Sequence, residues 1–221
     1  MSQKKRVAVL ISGRGSNMAA LISAAQAPDY PAAITLVLSD NSGAAGLAYA
    51  TAQGVRAVTV ERSRFTDRAV FEAAVGRELH QAGIELICLA GFMRLLSADF
   101  VERWRDRLIN IHPSLLPAFR GLDTHARALA AGVKLHGCTV HFVRAEVDAG
   151  PIVAQAAVPV LAHDTVESLA ARTLTAEHRL YPAALREIAG ERVRIEGDIV
   201  RLDTPHAAPP PLLWPLAGEA G

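Results

Sequence analysis

The sequence has little net charge and few cysteines, and each shortage excludes a class of protein. Its 221 residues hold 23 Lys and Arg against 22 Asp and Glu, a formal charge of +1. No overall field would therefore attract a nucleic acid or a membrane surface. The two cysteines, Cys88 and Cys138, both lie inside apolar runs, which predicts buried free thiols in a reducing compartment. We therefore expect no nucleic-acid partner and no disulfide.

The sequence also lacks long apolar runs and metal-binding patterns. Val7–Ile11 follows three basic residues but is too short for the core of a signal peptide. No run approaches the roughly 20 apolar residues that a membrane span needs. Eight histidines are present, yet no HExxH or CxxC pattern accompanies them. We expect a cytoplasmic protein with no membrane partner and no metal.

Short apolar runs alternate with segments of helical periodicity through the first half of the chain. Continuous apolar strands separated by helices are typical of parallel βαβ units, so we predict an α/β, doubly wound, mostly parallel, Rossmann-like sheet. The predicted strands are Arg6–Ile11, Ile34–Ser39, Arg56–Val60, Glu85–Ala90 and Leu108–His112, and the predicted helices are Asn17–Gln26, Ala44–Gln53 and Asp67–Ala82.

The second half has a different pattern. It predicts two antiparallel strands that extend the sheet, then a long helix and a small hairpin. These elements are His136–Val143, Ile152–Val160, Thr165–Ile188, and the hairpin strands Val193–Ile195 and Ile199–Leu202. We predict one domain over residues 1–203, divided into halves 1–112 and 113–203. A Pro- and Ala-rich tail, residues 204–221, follows it.

A glycine-containing loop, Ser12–Asn17, joins the first predicted strand to the first predicted helix. In a doubly wound sheet such a helix N-terminus is an anion site. The loop has no Walker A lysine, and bulky Met18 breaks the dinucleotide fingerprint, so we expect a single phosphate here. A tight turn closed by a Ser or Asn helix cap is the alternative.

A second loop, Gly91–Leu96, follows the fourth predicted strand and is strongly apolar. At the ligand-binding edge it could line a slot for a flat heteroaromatic ring. Its side chains could equally fill the core beneath the loop.

Asn110 and His112 are two residues apart on one strand, so they point to the same face, roughly 7 Å apart at the Cα atoms. Pro113 ends the strand and leaves His112 at its carboxyl end. An amide and an imidazole there could stabilise an oxyanion and exchange a proton. A structural histidine is the alternative.

Asp148 lies in a Gly/Pro-containing turn, residues 146–151. It could orient His112 and favour its protonated form, or it could simply form an Asx turn. In the strand before it, Thr139 and His141 share one face, which suits a site wall or a solvent-facing surface.

Five segments together resemble a known family: ISGRGSN, LAGFMRLLS, LINIHPSLLPAF, GCTVHFV and VDAGPIVAQ. In this order and spacing they are similar to folate-dependent formyltransferases, above all those that act on glycinamide ribonucleotide in purine synthesis. The likeness spans Arg6 to Leu202. Related formyltetrahydrofolate hydrolases and methionyl-tRNA formyltransferases carry an extra domain, for which we expect no room in this chain.

The resemblance implies a role for each matching residue. Catalysis is implied for Asn110, His112 and Asp148, with Asp148 favouring the charged imidazole. Ribonucleotide binding is implied for Gly15, Ser16, Asn17 and Glu177. Folate binding is implied for Arg68, Met93, Arg94, Leu95, Leu96 and Asn110. Three residues depart from the pattern or cannot be matched: Arg14, Met18 and Asp123.

The resemblance also implies the reaction and the partners. A formyl group would pass from 10-formyltetrahydrofolate, a co-substrate, to the amine of glycinamide ribonucleotide, without a metal. The partners would be these small molecules, and the protein would be a monomer or a homodimer. Residues 1–112 would then carry the phosphate site, and residues 113–203 the folate site and catalytic loop.

Overall fold

A seven-stranded sheet forms the centre of the molecule. The computed structural model describes residues 3–203 and Trp214. Its strands are β1 (Lys5–Ile11), β2 (Ala32–Ser39), β3 (Arg56–Thr59), β4 (Leu86–Leu89), β5 (Leu108–His112), β6 (Leu135–Phe142) and β7 (Ile152–Pro159). They lie in the order β3-β2-β1-β4-β5-β6-β7. Strands β1 to β5 pair in parallel, and β6 and β7 continue the sheet antiparallel, so the predicted fold class is confirmed.

Helices lie on both faces of the sheet, and the predicted C-terminal hairpin is present. The helices are α1 (Ser16–Ala25), α2 (Ala45–Ala52), α3 (Arg68–Gln81), α4 (Ala98–Arg103), α5 (Thr124–Ala130) and α6 (Val166–Ala189), with a 3-10 turn at Arg62–Arg64. Strands β8 (Val193–Glu196) and β9 (Ile199–Leu202) pair as the hairpin. The sequence did not predict α4, α5 or the 3-10 turn, because segments of 6, 7 and 3 residues are too short to show helical periodicity.

Alternate residues of the central strand β1 build two separate cores. Val9 on one face packs in a cluster with Met18 of α1 and Leu185 of α6. Leu10 on the other face packs in a cluster with Phe71 of α3. Each helix layer therefore buries one face of the sheet, and the ligand edge at the carboxyl ends of the strands stays open. Cys88 and Cys138 are buried free cysteines, as predicted.

Helix α6 is fixed against the middle of the sheet by a buried tyrosine. The Tyr181 hydroxyl donates to the Leu89 carbonyl at 3.0 Å and lies 3.2 Å from the Ile109 carbonyl. Glu177 lies one helical turn earlier on the same buried face of α6, and this anchor therefore sets its position at the edge of the sheet.

Two other expectations concern membrane-spanning helices and the C-terminal tail. Among residues 3–203 and 214, no helix is long and apolar enough to cross a membrane. The predicted tail, residues 204–221, lies outside the described residues except for Trp214, whose indole Nε1 donates to the Val160 carbonyl at 3.2 Å.

Candidate active site

His112 and Asp148 meet at the carboxyl edge of the sheet. His112 is the last residue of β5, and Asp148 lies in the turn between β6 and β7. The imidazole Nδ1 is 3.3 Å from Asp148 Oδ2, and both side chains are about nine-tenths buried. Asp148 has a φ of 52°, a left-handed conformation that Asp tolerates better than most residues. The turn thus aims the carboxylate back at the histidine.

The loop after β5 lies against the same pair. The backbone N–H of Gly121 donates to Asp148 Oδ2 at 2.9 Å, and His112 Nε2 is 3.0 Å from the Phe119 carbonyl oxygen. Both ring nitrogens of His112 therefore face oxygen acceptors. Nδ1 thus has a carboxylate partner and Nε2 a carbonyl partner.

Asn110 is held by a histidine on the neighbouring strand. Asn110 and His141 are direct partners in the antiparallel pairing of β5 with β6, and Asn110 Nδ2 is 3.3 Å from His141 Nε2. His141 Nδ1 faces the Phe142 carbonyl at 3.0 Å and so carries the proton in the neutral ring, leaving Nε2 to accept from Asn110. One N–H of the Asn110 amide is used in this bond, and the second stays available.

His141 also touches the acidic group of the cluster. Its Nε2 lies 3.7 Å from Asp148 Oδ1, and its side chain is 2% exposed. Burial lowers the pKa of His141, although the Phe142 carbonyl and the Asp148 carboxylate act in the opposite direction. Burial thus favours the neutral form of His141. Sequence reasoning placed His141 on a polar face but gave it no role. Its register opposite Asn110 was the missing information.

The first loop places a helix N-terminus beside two buried polar side chains. Gly15 precedes α1 with a φ of 71°, and no side chain caps the helix, so the alternative of a Ser or Asn cap is wrong. Asn17 Nδ2 instead donates to Glu177 Oε2 at 2.6 Å. Asn17 Oδ1 is buried without a partner among the described residues. Burial raises the pKa of Glu177, and the bond from Asn17 opposes this.

The second loop lines a cavity that also includes Asn110, His141 and Asp148 in its wall. Met93 and Leu95 project outward, 69% and 68% exposed, whereas Phe92 is buried, so only part of this loop fills the core. The cavity measures about 140 Å³. Its walls include Phe92, Arg94, Leu95, Leu96, Val101 and Val143, together with the polar side chains of Asn110, His141 and Asp148.

Arg68, the remaining residue assigned to folate, lies outside this cavity. It begins α3 with its side chain 57% exposed, and its Nε is 4.0 Å from Glu72 Oε1. The structure therefore brings Asn110 and Asp148 to the same cavity as Arg94, Leu95 and Leu96. His112 reaches this group through its contact with Asp148, whereas Arg68 and Met93 do not line the cavity.

Fold and geometry together define a doubly wound α/β protein that carries a His–Asp–Asn cluster, an uncapped helix N-terminus and a cavity with apolar walls at the carboxyl edge of its sheet. The model of the formyl transferase family matches residues 5–185. The chain belongs to this family.

Two curated relatives and one solved structure illustrate the similarity. The chain is 39% identical over 203 residues to phosphoribosylglycinamide formyltransferase of Escherichia coli, covering 92% of this chain and 96% of that one. It is 48% identical over 194 residues to the trifunctional purine biosynthetic protein adenosine-3 of Gallus gallus. That match covers 88% of this chain but 19% of the relative, so the chain spans about a fifth of that longer protein. The crystal structure of glycinamide ribonucleotide transformylase 1 from Symbiobacterium toebii has a TM-score of 0.89 at 46% identity, covering 91% and 95% of the two chains.

Proposed function

We propose that this chain transfers a formyl group from 10-formyltetrahydrofolate to the amine of glycinamide ribonucleotide, in purine synthesis. The observation that carries the proposal is the contact of His112 with Asp148 and of Asn110 with His141, with Asn110 and Asp148 in the wall of the apolar cavity. The uncapped start of α1 suits a phosphorylated sugar, and the cavity suits a flat ring. The two ligands would meet at this cluster, which can stabilise an oxyanion.

The ribonucleotide side is formed by α1 and α6. Backbone N–H groups at the start of α1 would bind the phosphate, because they have no partner within the helix and carry its positive dipole end. Gly15 lets the backbone approach closely at its positive φ. Asn17 and Glu177, both more than nine-tenths buried, would accept and donate hydrogen bonds to the sugar side of the substrate.

The folate side is the cavity beneath residues 91–96. Its apolar walls would hold the pteridine ring, and Asn110 in its wall would face the formyl group on N10. Met93 and Leu95, exposed in the free protein, would be covered by the bound co-substrate.

The proposed chemistry is acyl transfer. The neutral amine attacks the formyl carbon, a C–N bond forms, and the carbonyl electron pair moves to oxygen. The free N–H of Asn110 and the Nε2–H of His112 donate to that oxyanion, so Nε2 exchanges the Phe119 carbonyl for the substrate oxygen. The C=O bond then re-forms, the bond to N10 breaks, and N10 takes a proton while the amine loses one. Asp148 would keep the imidazole oriented throughout through its contact with Nδ1.

The test is a turnover assay with purified protein, 10-formyltetrahydrofolate and glycinamide ribonucleotide. We expect tetrahydrofolate to be released only when both substrates are present. Release at the same rate without the ribonucleotide would mean that water is the acceptor and the protein is a hydrolase. No release with both substrates would reject the proposed transfer.

A further inference from the structure

We propose that Asp40 is a positioning residue that holds the Arg94 guanidinium ready for a carboxylate at the outer end of the folate co-substrate. This inference rests on the proposed function, because it takes folate as the ligand of the cavity lined by Arg94.

Asp40 follows the last residue of β2, at the ligand edge of the sheet. Its Oδ2 lies 2.5 Å from Arg94 Nε, with the carboxylate fully buried and the Arg94 side chain 47% exposed. The main-chain carbonyl of Asp40 also accepts from the Arg62 N–H at 3.0 Å. The residue is therefore fixed by its backbone while its side chain reaches the loop.

The burial of Asp40 makes this contact hard to give up. Its second oxygen, Oδ1, is buried and finds no hydrogen-bond partner within the described part of the chain. A buried carboxylate that loses its one cation becomes an uncompensated charge, which is strongly unfavourable. Arg94 is therefore restricted to orientations that keep Nε on Asp40.

With Nε held by Asp40, the two terminal nitrogens of Arg94 stay free to bind a ligand. Asp40 contacts Nε, and residues 3–203 and 214 show no partner for the two terminal nitrogens. Those nitrogens form the planar fork that binds a carboxylate in a bidentate manner. Asp40 thus presents Arg94 as a preorganised carboxylate receptor at the wall of the cavity.

The other arginine of the cavity is arranged differently. Arg144 Nη2 binds Asp106 Oδ1 at 2.6 Å, and its Nη1 donates to the Val143 carbonyl at 3.2 Å. Its side chain is 13% exposed. Both terminal nitrogens of Arg144 are thus engaged, which makes Arg94 the better receptor for an incoming anion.

A folate ends in a glutamate, whose carboxylates lie far from the reactive N10 and ring. With the ring in the apolar cavity and N10 near Asn110, the glutamate would leave through the exposed mouth near Leu95 and Arg94. Asp40 should then strengthen binding only of ligands that carry the glutamate.

The experiment measures the binding of two probes, tetrahydrofolate and tetrahydropteroate, which lacks the glutamate. We expect Asp40→Asn to raise the Kd for tetrahydrofolate about three- to tenfold, the size expected when one long side chain is no longer preorganised. The Kd for tetrahydropteroate should change less than about twofold. Arg94→Gln should act in the same way, and adding Asp40→Asn to it should cost little more, because both changes remove one interaction.

Asp106→Asn is the matched control, since it removes the carboxylate partner of Arg144 and leaves Asp40 intact. We expect it to leave the ratio of the two Kd values as in the wild type. Thermal unfolding of each variant checks that it folds.

Two results would overturn the inference. Equal weakening of both probes by Asp40→Asn would mean that Asp40 only supports the loop, and no weakening of either would mean that Arg94 needs no positioning. Wild-type protein that binds neither probe would reject the folate site and this inference together. Glutamate-dependent binding that needs Asp40, in a protein without formyl transfer, would reject the proposed reaction and support the inference.

Discussion

The two proposed ligand sites are built in opposite ways. The proposed ribonucleotide side consists of the start of α1 and the middle of α6, where the buried side chains of Asn17 and Glu177 are joined by a hydrogen bond of 2.6 Å. The proposed folate side is a loop whose Met93 and Leu95 side chains are more than two-thirds exposed. That loop is attached at both ends: the Met93 N–H donates to Ser12 Oγ at 2.9 Å, and Ser97 binds the buried carboxylate of Glu72.

This difference explains how two adjoining sites could bind two chemically unlike substrates. A small anionic sugar is recognised by directed hydrogen bonds, which require rigid donors and acceptors. A large flat ring is recognised mainly by apolar contact area, which a loop on fixed anchors can supply. Variants on the two sides should therefore change the KM of one substrate at a time.

The largest effect is expected between the two sides, at His112. His112→Ala removes an oxyanion donor and should lower kcat by about 100- to 1,000-fold or more. Steady-state kinetics with both substrates measure this effect, and the KM for the ribonucleotide should change little. A similar loss in ribonucleotide binding would show that His112 holds the substrate and not the transition state.

A smaller effect is expected from Glu177→Gln on the ribonucleotide side. The loss of a charged hydrogen-bond acceptor should raise the KM for glycinamide ribonucleotide about tenfold and leave the KM for the folate unchanged. Glu167→Gln, an exposed change on the same helix, is the matched control and should change neither. Equal increases in both KM values would contradict the separation of the two sides.

Glu177 should also make the stability of the protein depend on pH. Burial raises its pKa, so the folded protein binds this proton more tightly than the unfolded chain does. Its stabilising contribution is complete below the unfolded pKa and is lost as pH rises through the folded pKa. Glu177→Gln, which cannot ionise, should therefore gain stability relative to wild type as pH increases from about 4 to 7.5. Urea unfolding at the two pH values measures this, and a relative loss at the higher pH would refute the assignment.

The smallest effect is expected on the folate side. Leu95→Ala removes part of an apolar surface that the co-substrate would cover, and should raise the folate KM about fivefold. The ribonucleotide KM should stay constant. Ile199→Ala, which truncates a comparably exposed side chain on β9, controls for general loss of apolar surface. An unchanged folate KM in Leu95→Ala would place the co-substrate elsewhere.

Periodicity along the chain was enough to predict the sheet and part of the site. Strand alternation placed Asn110 and His112 on one face. Because ligands bind beyond the carboxyl ends of parallel strands, residues 12–17 and 91–96 were predicted to lie at the ligand-binding edge. These inferences work because each depends on neighbours within a few residues.

Contacts between distant residues could not be predicted in this way. Asp148 lies 36 positions from His112 and reaches it through a left-handed turn. The sequence pattern left this contact as one of two interpretations of the turn, the other being an Asx turn, and the family resemblance favoured the contact. The burial of Asp40 could not be predicted, although the residue follows a predicted strand at the ligand edge, because no local sequence pattern distinguishes a buried carboxylate from an exposed one.

The most direct test of the central claim follows the formyl carbon itself. With ¹³C-labelled 10-formyltetrahydrofolate and glycinamide ribonucleotide, carbon NMR should show the label moving to an amide on the ribonucleotide, and this signal should nearly vanish in His112→Ala. Label that appears as free formate, or an amide signal that forms equally fast without His112, would contradict the account.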